Sequence, residues 1–245
     1  MGAPRTVYFS WMARSVLAGA IVAAATAALS LGSSSALAAG SKSVSAETLL
    51  HHACSDTLAA NAFDMQGQVK VSGSGPLSIN LHVGSAGNVM IVTMNEDQTF
   101  NIITNGTSSY MKANQAFWQA TVGAKDSGVA SLLADRWLDM TSDKKDFSSL
   151  SKELNKKKLL SQCGEGRPAS YVGHATINGL KVTKVHQLGN QESDTYYVEG
   201  GSTPYILRIT GSASQKNSGD LIFSDYGVQP DTSEPPGTIP ISSLG

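Results

Sequence analysis

Leu77, Ile79, Leu81 and Val83 alternate with Ser78, Asn80 and His82, a period of two that predicts a strand with one apolar and one wet face. Val69 and Val71 make a shorter version before it, and residues 88–94 and 99–104 continue the series. Asn105-Gly106 then separates two such runs. Because both residues tolerate positive φ, the pair predicts a hairpin with a type I′ turn. Upstream the period is different: between Ser45 and Asn61, Leu50, Cys54 and Leu58 fall four apart with Leu49 and Ala53 beside them, the spacing of a helix with one apolar face. Ser45 suits the N-cap of that helix and Glu47 its first turn.

Helix patterns return from Ala116 to Gln162. Val129, Leu132, Leu133, Trp137 and Met140 fall on one helical face, and Phe147, Leu150 and Leu154 form a second set. Strand alternation resumes over residues 171–177 and 180–188, which flank a second Asn-Gly pair at Asn178-Gly179. Residues 196–199, 204–210 and 221–226 follow at the spacing of an antiparallel meander. Longer polar connections lie at 189–193 and 211–219, and the Pro- and Ser-rich stretch 229–245 reads as an extended or mobile tail. The order predicts an α+β fold: about ten or eleven short antiparallel strands form one large curved sheet, with an N-terminal helix and a central helical insertion covering its concave face. Two separate β domains are the alternative, but each half alone leaves its amphipathic strands without a covering layer.

The chain begins differently from this body. Arg5 and Arg14 are the only charged side chains before Lys42, and residues 16–31 form an alanine-rich apolar stretch followed by the small-residue pattern Ala36-Leu37-Ala38. That is the form of a secretory signal, with cleavage expected after Ala38. An uncleaved N-terminal anchor is the other reading, although residues 16–31 fall short of the ~20 apolar residues that span a bilayer. Residues 1–38 are therefore taken as leader or anchor, 39–228 as the folded body and 229–245 as the tail. The expected location is extracytoplasmic, secreted or in the cell envelope.

Charge narrows the function classes. The chain carries 18 Lys+Arg against 19 Asp+Glu, and loss of Arg5 and Arg14 with the leader leaves the body mildly acidic. No nucleic-acid partner is expected, since phosphate-backbone binders show a basic balance and a basic stripe. The lysine-rich stretch, Lys144-Lys145, Lys152 and Lys156-Lys157-Lys158, is interleaved with Asp143, Asp146 and Glu153. It reads as a solvated helix face, with contact to anionic lipid head groups as the alternative. Two cysteines, Cys54 and Cys163, in an exported chain predict one disulfide tying the first helix to the end of the helical insertion. Two separate buried thiols are the alternative.

Catalytic signatures are missing from the sequence. There is no Gly-x-Ser-x-Gly elbow, His-Glu-x-x-His, phosphate-binding glycine loop or Cys-x-x-Cys. His51 and Cys54 lie one helical turn apart, but two ligands leave a metal site incomplete. His82, His174 and His186 fall at positions expected on the wet faces of strands. No cofactor or metal is expected, and an enzyme is not expected. A secreted hydrolase whose nucleophile and base come from distant residues stays open, because such triads leave no local trace. Asn105-Gly106-Thr107 also spells a glycosylation sequon, weighed below the turn reading.

Two segments carry a family resemblance. Ser109-Tyr110-Met111-Lys112 followed by Phe117-Trp118, and residues 221–226 (Leu-Ile-Phe-Ser-Asp-Tyr) leading into Pro230, are similar to segments of LppX/LprG-like proteins. The layout of residues 45–240 resembles the exported lipid-carrier superfamily that includes LolA- and LolB-like proteins. The chain departs from the lipoproteins of that group in having no cysteine directly after the apolar stretch, so lipidation is not expected. The resemblance implies a half-barrel sheet lined by helices, and a non-enzymatic binder or carrier of lipid or acylated cargo. It also allows contact with a membrane surface or an envelope partner protein. The cavity residues expected on that basis are Ile79, Leu81, Val92, Met94, Phe100 and Ile102 from the sheet, with Leu133, Trp137 and Met140 from the helices. A solid core made of the same residues is the alternative, and an envelope interaction module would be its consequence.

Overall fold

The structure, a computed structural model, describes residues 44–70, 76–122, 127–142, 156–160, 163–164, 166–188, 193–211 and 218–244. Residues 1–43, the set Phe147, Leu150 and Leu154, and the lysine-rich stretch from Asp143 to Glu153 lie outside the described residues.

Helix α1, Ala46–Ala59, starts where the pattern places it: Ser45 is extended and its hydroxyl accepts the backbone N–H of Thr48 at 3.1 Å. Leu50, Ala53, Cys54 and Thr57 form its buried face, with Leu49 and Leu58 half-buried beside them. Five strands follow: β1 (Phe63–Lys70), β2 (Pro76–Val83), β3 (Asn88–Met94), β4 (Gln98–Thr104) and β5 (Ser109–Ala113). β1 is longer than Val69 and Val71 suggest, because Gly67 interrupts an alternation that begins at Phe63 and Met65. Gly67 is required for packing: a Cβ there would lie 1.8 Å from the carbonyl oxygen of Asp220 on the neighbouring strand.

Helices α2 (Gln115–Val122) and α3 (Ser127–Leu133), strand β6 (Leu138–Asp139) and the short α4 (Lys156–Leu159) form the described part of the central insertion. α3 ends before Trp137 and Met140, which the 3.6-residue pattern assigns to its face. Val129 and Leu132 are 43% and 54% exposed, and the helix buries Ala130 and Leu133 instead. The pattern misleads because residues 138–139 leave the helix to pair with β5, Met111 opposite Leu138.

Strands β7 (Ala169–Ile177), β8 (Leu180–Leu188), β9 (Ser193–Glu199), β10 (Ile206–Gly211) and β11 (Ser218–Ser224) complete the meander, and β12 (Ile239–Pro240) lies in the tail, followed by the 3₁₀ turn Ile241–Leu244. One twelve-stranded open, curved sheet results, in the order β12-β6-β5-β4-β3-β2-β1-β11-β10-β9-β8-β7. The two meanders join where β1 pairs antiparallel with β11, Met65 opposite Phe223. β6 and β12, two residues each, are the strands that the sequence pattern does not announce.

The two Asn-Gly turns differ. Asn178 (φ 50°) and Gly179 (φ 81°) are both left-handed, as a type I′ turn requires. At the first pair only Gly106 has positive φ. The side-chain oxygen of Asn105 accepts the N–H of Ser108 at 2.9 Å, moving the turn one residue along to Gly106-Thr107. The Asn105 amide donates to the carbonyl of Thr232 at 3.3 Å, so the sequon asparagine latches the tail.

That tail is extended and docked, in contrast to a mobile one. Gln229 accepts the N–H of Ser85 at 3.0 Å and donates to the carbonyl of Asn61 at 3.2 Å. Ile239 pairs in parallel with Leu138, and Ile239 and Ile241 pack against the core. Truncation after Val228 is expected to lower stability by about 2 kcal/mol, roughly the burial of one large aliphatic side chain. A lower urea midpoint would register it.

Candidate functional site

Strand register places the sequence-predicted sheet residues on one face. Ile209, Leu221, Gly67, Ile79, Val92, Phe100 and Ala113 form a row across β10, β11, β1, β2, β3, β4 and β5. Phe223, Met65, Leu81, Met90, Ile102 and Met111 form the next row inward, ending on Leu138 of β6. All of them except Gly67 belong to, or pack against, the hydrophobic cluster that includes Leu50, Ala53 and Cys54 of α1, so this is the face the helices cover.

Cover is uneven along the rows. α1 packs on β7, β9 and β10, and α2 packs on β4, with Phe117 and Phe100 ring centroids 5.2 Å apart. Asn114 holds α2 in that place: its side-chain oxygen accepts the N–H groups of Thr99 and Phe117 at 3.2 and 3.0 Å. Under the helices the inner row is sealed, with Leu81, Met90 and Ile102 buried. Ile209, Leu221, Val69 and Ile79 on β10, β11, β1 and β2, with Met94 on β3, are half-buried on this face, and Leu77 of β2, opposite Val69 and Met94, is buried among them. Gly67 lies at the centre of this stretch and contributes no side chain. These side chains make a half-buried apolar surface that is packed at its Phe63, Met65 and Leu81 end.

Eight of the nine expected cavity residues share this interior. Leu81, Val92, Phe100, Ile102, Leu133 and Met140 are buried in its core, and Ile79 and Met94 belong to the half-buried surface. Trp137 is the exception. It follows the helix in irregular chain, and the ammonium of Lys112 stands 5.1 Å over its ring. Lys112 pairs with Asn101 on the opposite sheet face, so Trp137 is removed from the interior set. Val69, Ile209 and Leu221 are the residues of this surface that the sequence reading missed. Their alternation is visible, but which strand pairs with which is not.

Cys54 and Cys163 form the predicted disulfide, with Cα atoms 5.8 Å apart. The bridge removes Cys54 from any metal site with His51, and no group of three or more metal-ligating side chains occurs among the described residues. The bridged segment closes a second feature, a pocket of ≈ 360 Å³ lined by Glu47, Leu50, Arg167, Pro168, Ala169 and Gln187, with Gly164 and Gly166 at its edge. The Glu47 carboxylate accepts the Ala169 N–H at 3.2 Å, and backbone N–H groups of Glu47 and Ala169 hold its pKa below the usual range. Tyr196 and Tyr226 are pushed upward by burial and stay neutral phenols. Tyr226 donates to the carbonyl of Ile206, whose N–H donates to Thr57 of α1 at 3.1 Å, fixing the helix to β10.

His82 and Asp64 pair at 2.7 Å across β1 and β2, on the opposite sheet face. His174 and His186 lie within 3.5 and 3.3 Å of Thr183 and Thr195 across neighbouring strands. None of these residues lines the pocket. No helix of the described residues is long and apolar enough to cross a membrane.

An open antiparallel sheet curved around apolar helices defines the half-barrel class of fold. No family model matches the chain, and no curated protein matches it in sequence. Among solved structures it is similar to LprF from Mycobacterium bovis, at 12% identity and a TM-score of 0.55, over 78% of this chain and 96% of that one. The lipoprotein LppX of Mycobacterium tuberculosis aligns at 12% identity and a TM-score of 0.48, over 77% and 98%. A LolA-superfamily protein of Nitrosomonas europaea aligns at 10% identity and a TM-score of 0.27, over 78% and 99%. The LprF likeness carries the structural conclusion: the chain has an LprF-like fold.

Proposed function

We propose that this protein is an exported, non-enzymatic binder or carrier of lipid or lipidated cargo in the cell envelope, and that acyl chains lie over Ile209, Leu221, Val69, Ile79 and Met94. The observation that carries the reading is the half-buried apolar surface of Ile209, Leu221, Val69, Ile79 and Met94 on the sheet face that the helices cover. Each CH₂ that an acyl chain moves from water into such surroundings contributes about 0.8 kcal/mol. The fold shared with LprF and the leader-like residues 1–38 support the same reading. Protein purified from its own host is expected to carry extractable acyl lipid, seen by native mass spectrometry and organic extraction. An empty protein that also takes up no fluorescent acyl probe would sink the proposal.

One observation favours a second reading, an interaction module. The edge strand β7 is exposed along most of its length, including Tyr171 and Val172, and nothing among the described residues pairs with its outer side. Empty protein that forms a defined complex with an envelope protein would favour it.

A further inference from the structure

The pocket beside the N-terminus of α1 holds a polar group that the fold leaves unused. Gln187, on β8, is 4% exposed and lines the pocket, and its amide nitrogen has no hydrogen-bond partner among the described residues. An unmet buried donor is costly, so such a group calls for an acceptor. The surroundings restrict what that acceptor is. The Gln187 donor is an uncharged amide, and the two charged lining residues, Glu47 and Arg167, are of opposite sign. Leu50, Pro168 and Ala169 supply apolar wall, and Leu50 and Ala169 also belong to, or pack against, the interior cluster. The pocket thus borders the apolar interior and offers it one neutral donor.

Resting on the acyl-binding reading above, we propose that this pocket is the polar subsite for a neutral acyl ester, whose carbonyl oxygen accepts from the Gln187 amide while its alkyl chain lies against the wall of Leu50, Pro168 and Ala169. A neutral donor in a pocket whose charged lining residues are of opposite sign suits an uncharged carbonyl. The two sources of such a carbonyl, a free glyceride and a lipid-anchored protein, present the same group to Gln187.

Two soluble probes and one variant test the proposal by fluorescence displacement: monolauroyl glycerol and its ether analogue dodecyl glycerol. Wild-type protein is expected to bind the ester roughly tenfold more tightly than the ether, the value of one hydrogen bond to a buried donor. Gln187→Met keeps length and apolar volume, removes the donor, and is expected to bring ester and ether to equal affinity. Equal binding of ester and ether by the wild type overturns the subsite and leaves the carrier reading standing, whatever the variant does. No binding of any probe overturns both. A triacylated peptide that shows the same ester preference points to lipidated cargo, and its failure beside a bound glyceride points to free lipid.

Discussion

Replacing both Cys54 and Cys163 with serine is expected to destabilise the protein by about 4 to 5 kcal/mol, the chain-entropy value for closing a loop of this length. The two cysteines are 109 residues apart, and the closed loop contains β1 to β5, the described insertion helices and β6. Breaking it lets the unfolded chain explore conformations that the bridge forbids. Among the described residues, Leu160 is buried and the ammonium of Lys156 donates to the carbonyl of Ala60, just after α1, at 2.7 Å. Urea unfolding of the oxidised protein and the double-serine variant would measure the difference. A loss under about 1 kcal/mol would mean that the unfolded loop is already restricted by residual structure. The same variant is expected to weaken ester selectivity, because the bridge holds Gly164 against α1 and so shapes the rim of the Gln187 pocket.

The parts of this fold governed by local chemistry are legible in the sequence. The Ser45 cap, the period-two runs of β2, β3 and β4, and the Asn178-Gly179 turn each depend on a few neighbouring residues, and each forms as the pattern dictates. The misreadings share a cause: a distant partner overrides the local preference. Leu138 abandons a helical register because Met111 offers a strand edge. The tail is ordered by Ser85, Asn105 and Leu138, none of which is near it in sequence. The Asn105 turn shifts because its side chain serves both Ser108 and Thr232. At the candidate site the apolar identity of the lining was readable but its arrangement was not. Only the β1–β11 pairing places Leu221 beside Gly67 at the centre of the sheet. Gln187 escaped notice because a glutamine in a strand gives no signal until its burial is known.

Ile79→Asp is expected to reduce acyl-probe uptake by at least tenfold while leaving the protein folded. Ile79 stands in the row between Gly67 and Val92, on the covered face, and is only half-buried. Its substitution acts twice on a bound chain. It removes an aliphatic contact whose full burial contributes about 1.5 to 3 kcal/mol. It also puts a carboxylate where an alkyl chain must strip water from it, a cost that burial without a partner makes larger still. With no chain bound that carboxylate stays hydrated, so folding bears much less of the penalty than at sealed Leu81, two residues along the same face. Asn80→Asp is the matched control. Asn80 is the next residue on the same strand, faces the opposite side opposite Gln66 and Ile91, and receives the same charge. Uptake unchanged in Asn80→Asp and lost in Ile79→Asp, with both variants unfolding at similar urea concentrations, places acyl binding on the half-buried apolar surface. Equal uptake by both variants would remove that face of β11, β1 and β2 as the binding surface and leave a partner-binding role for the open sheet edge.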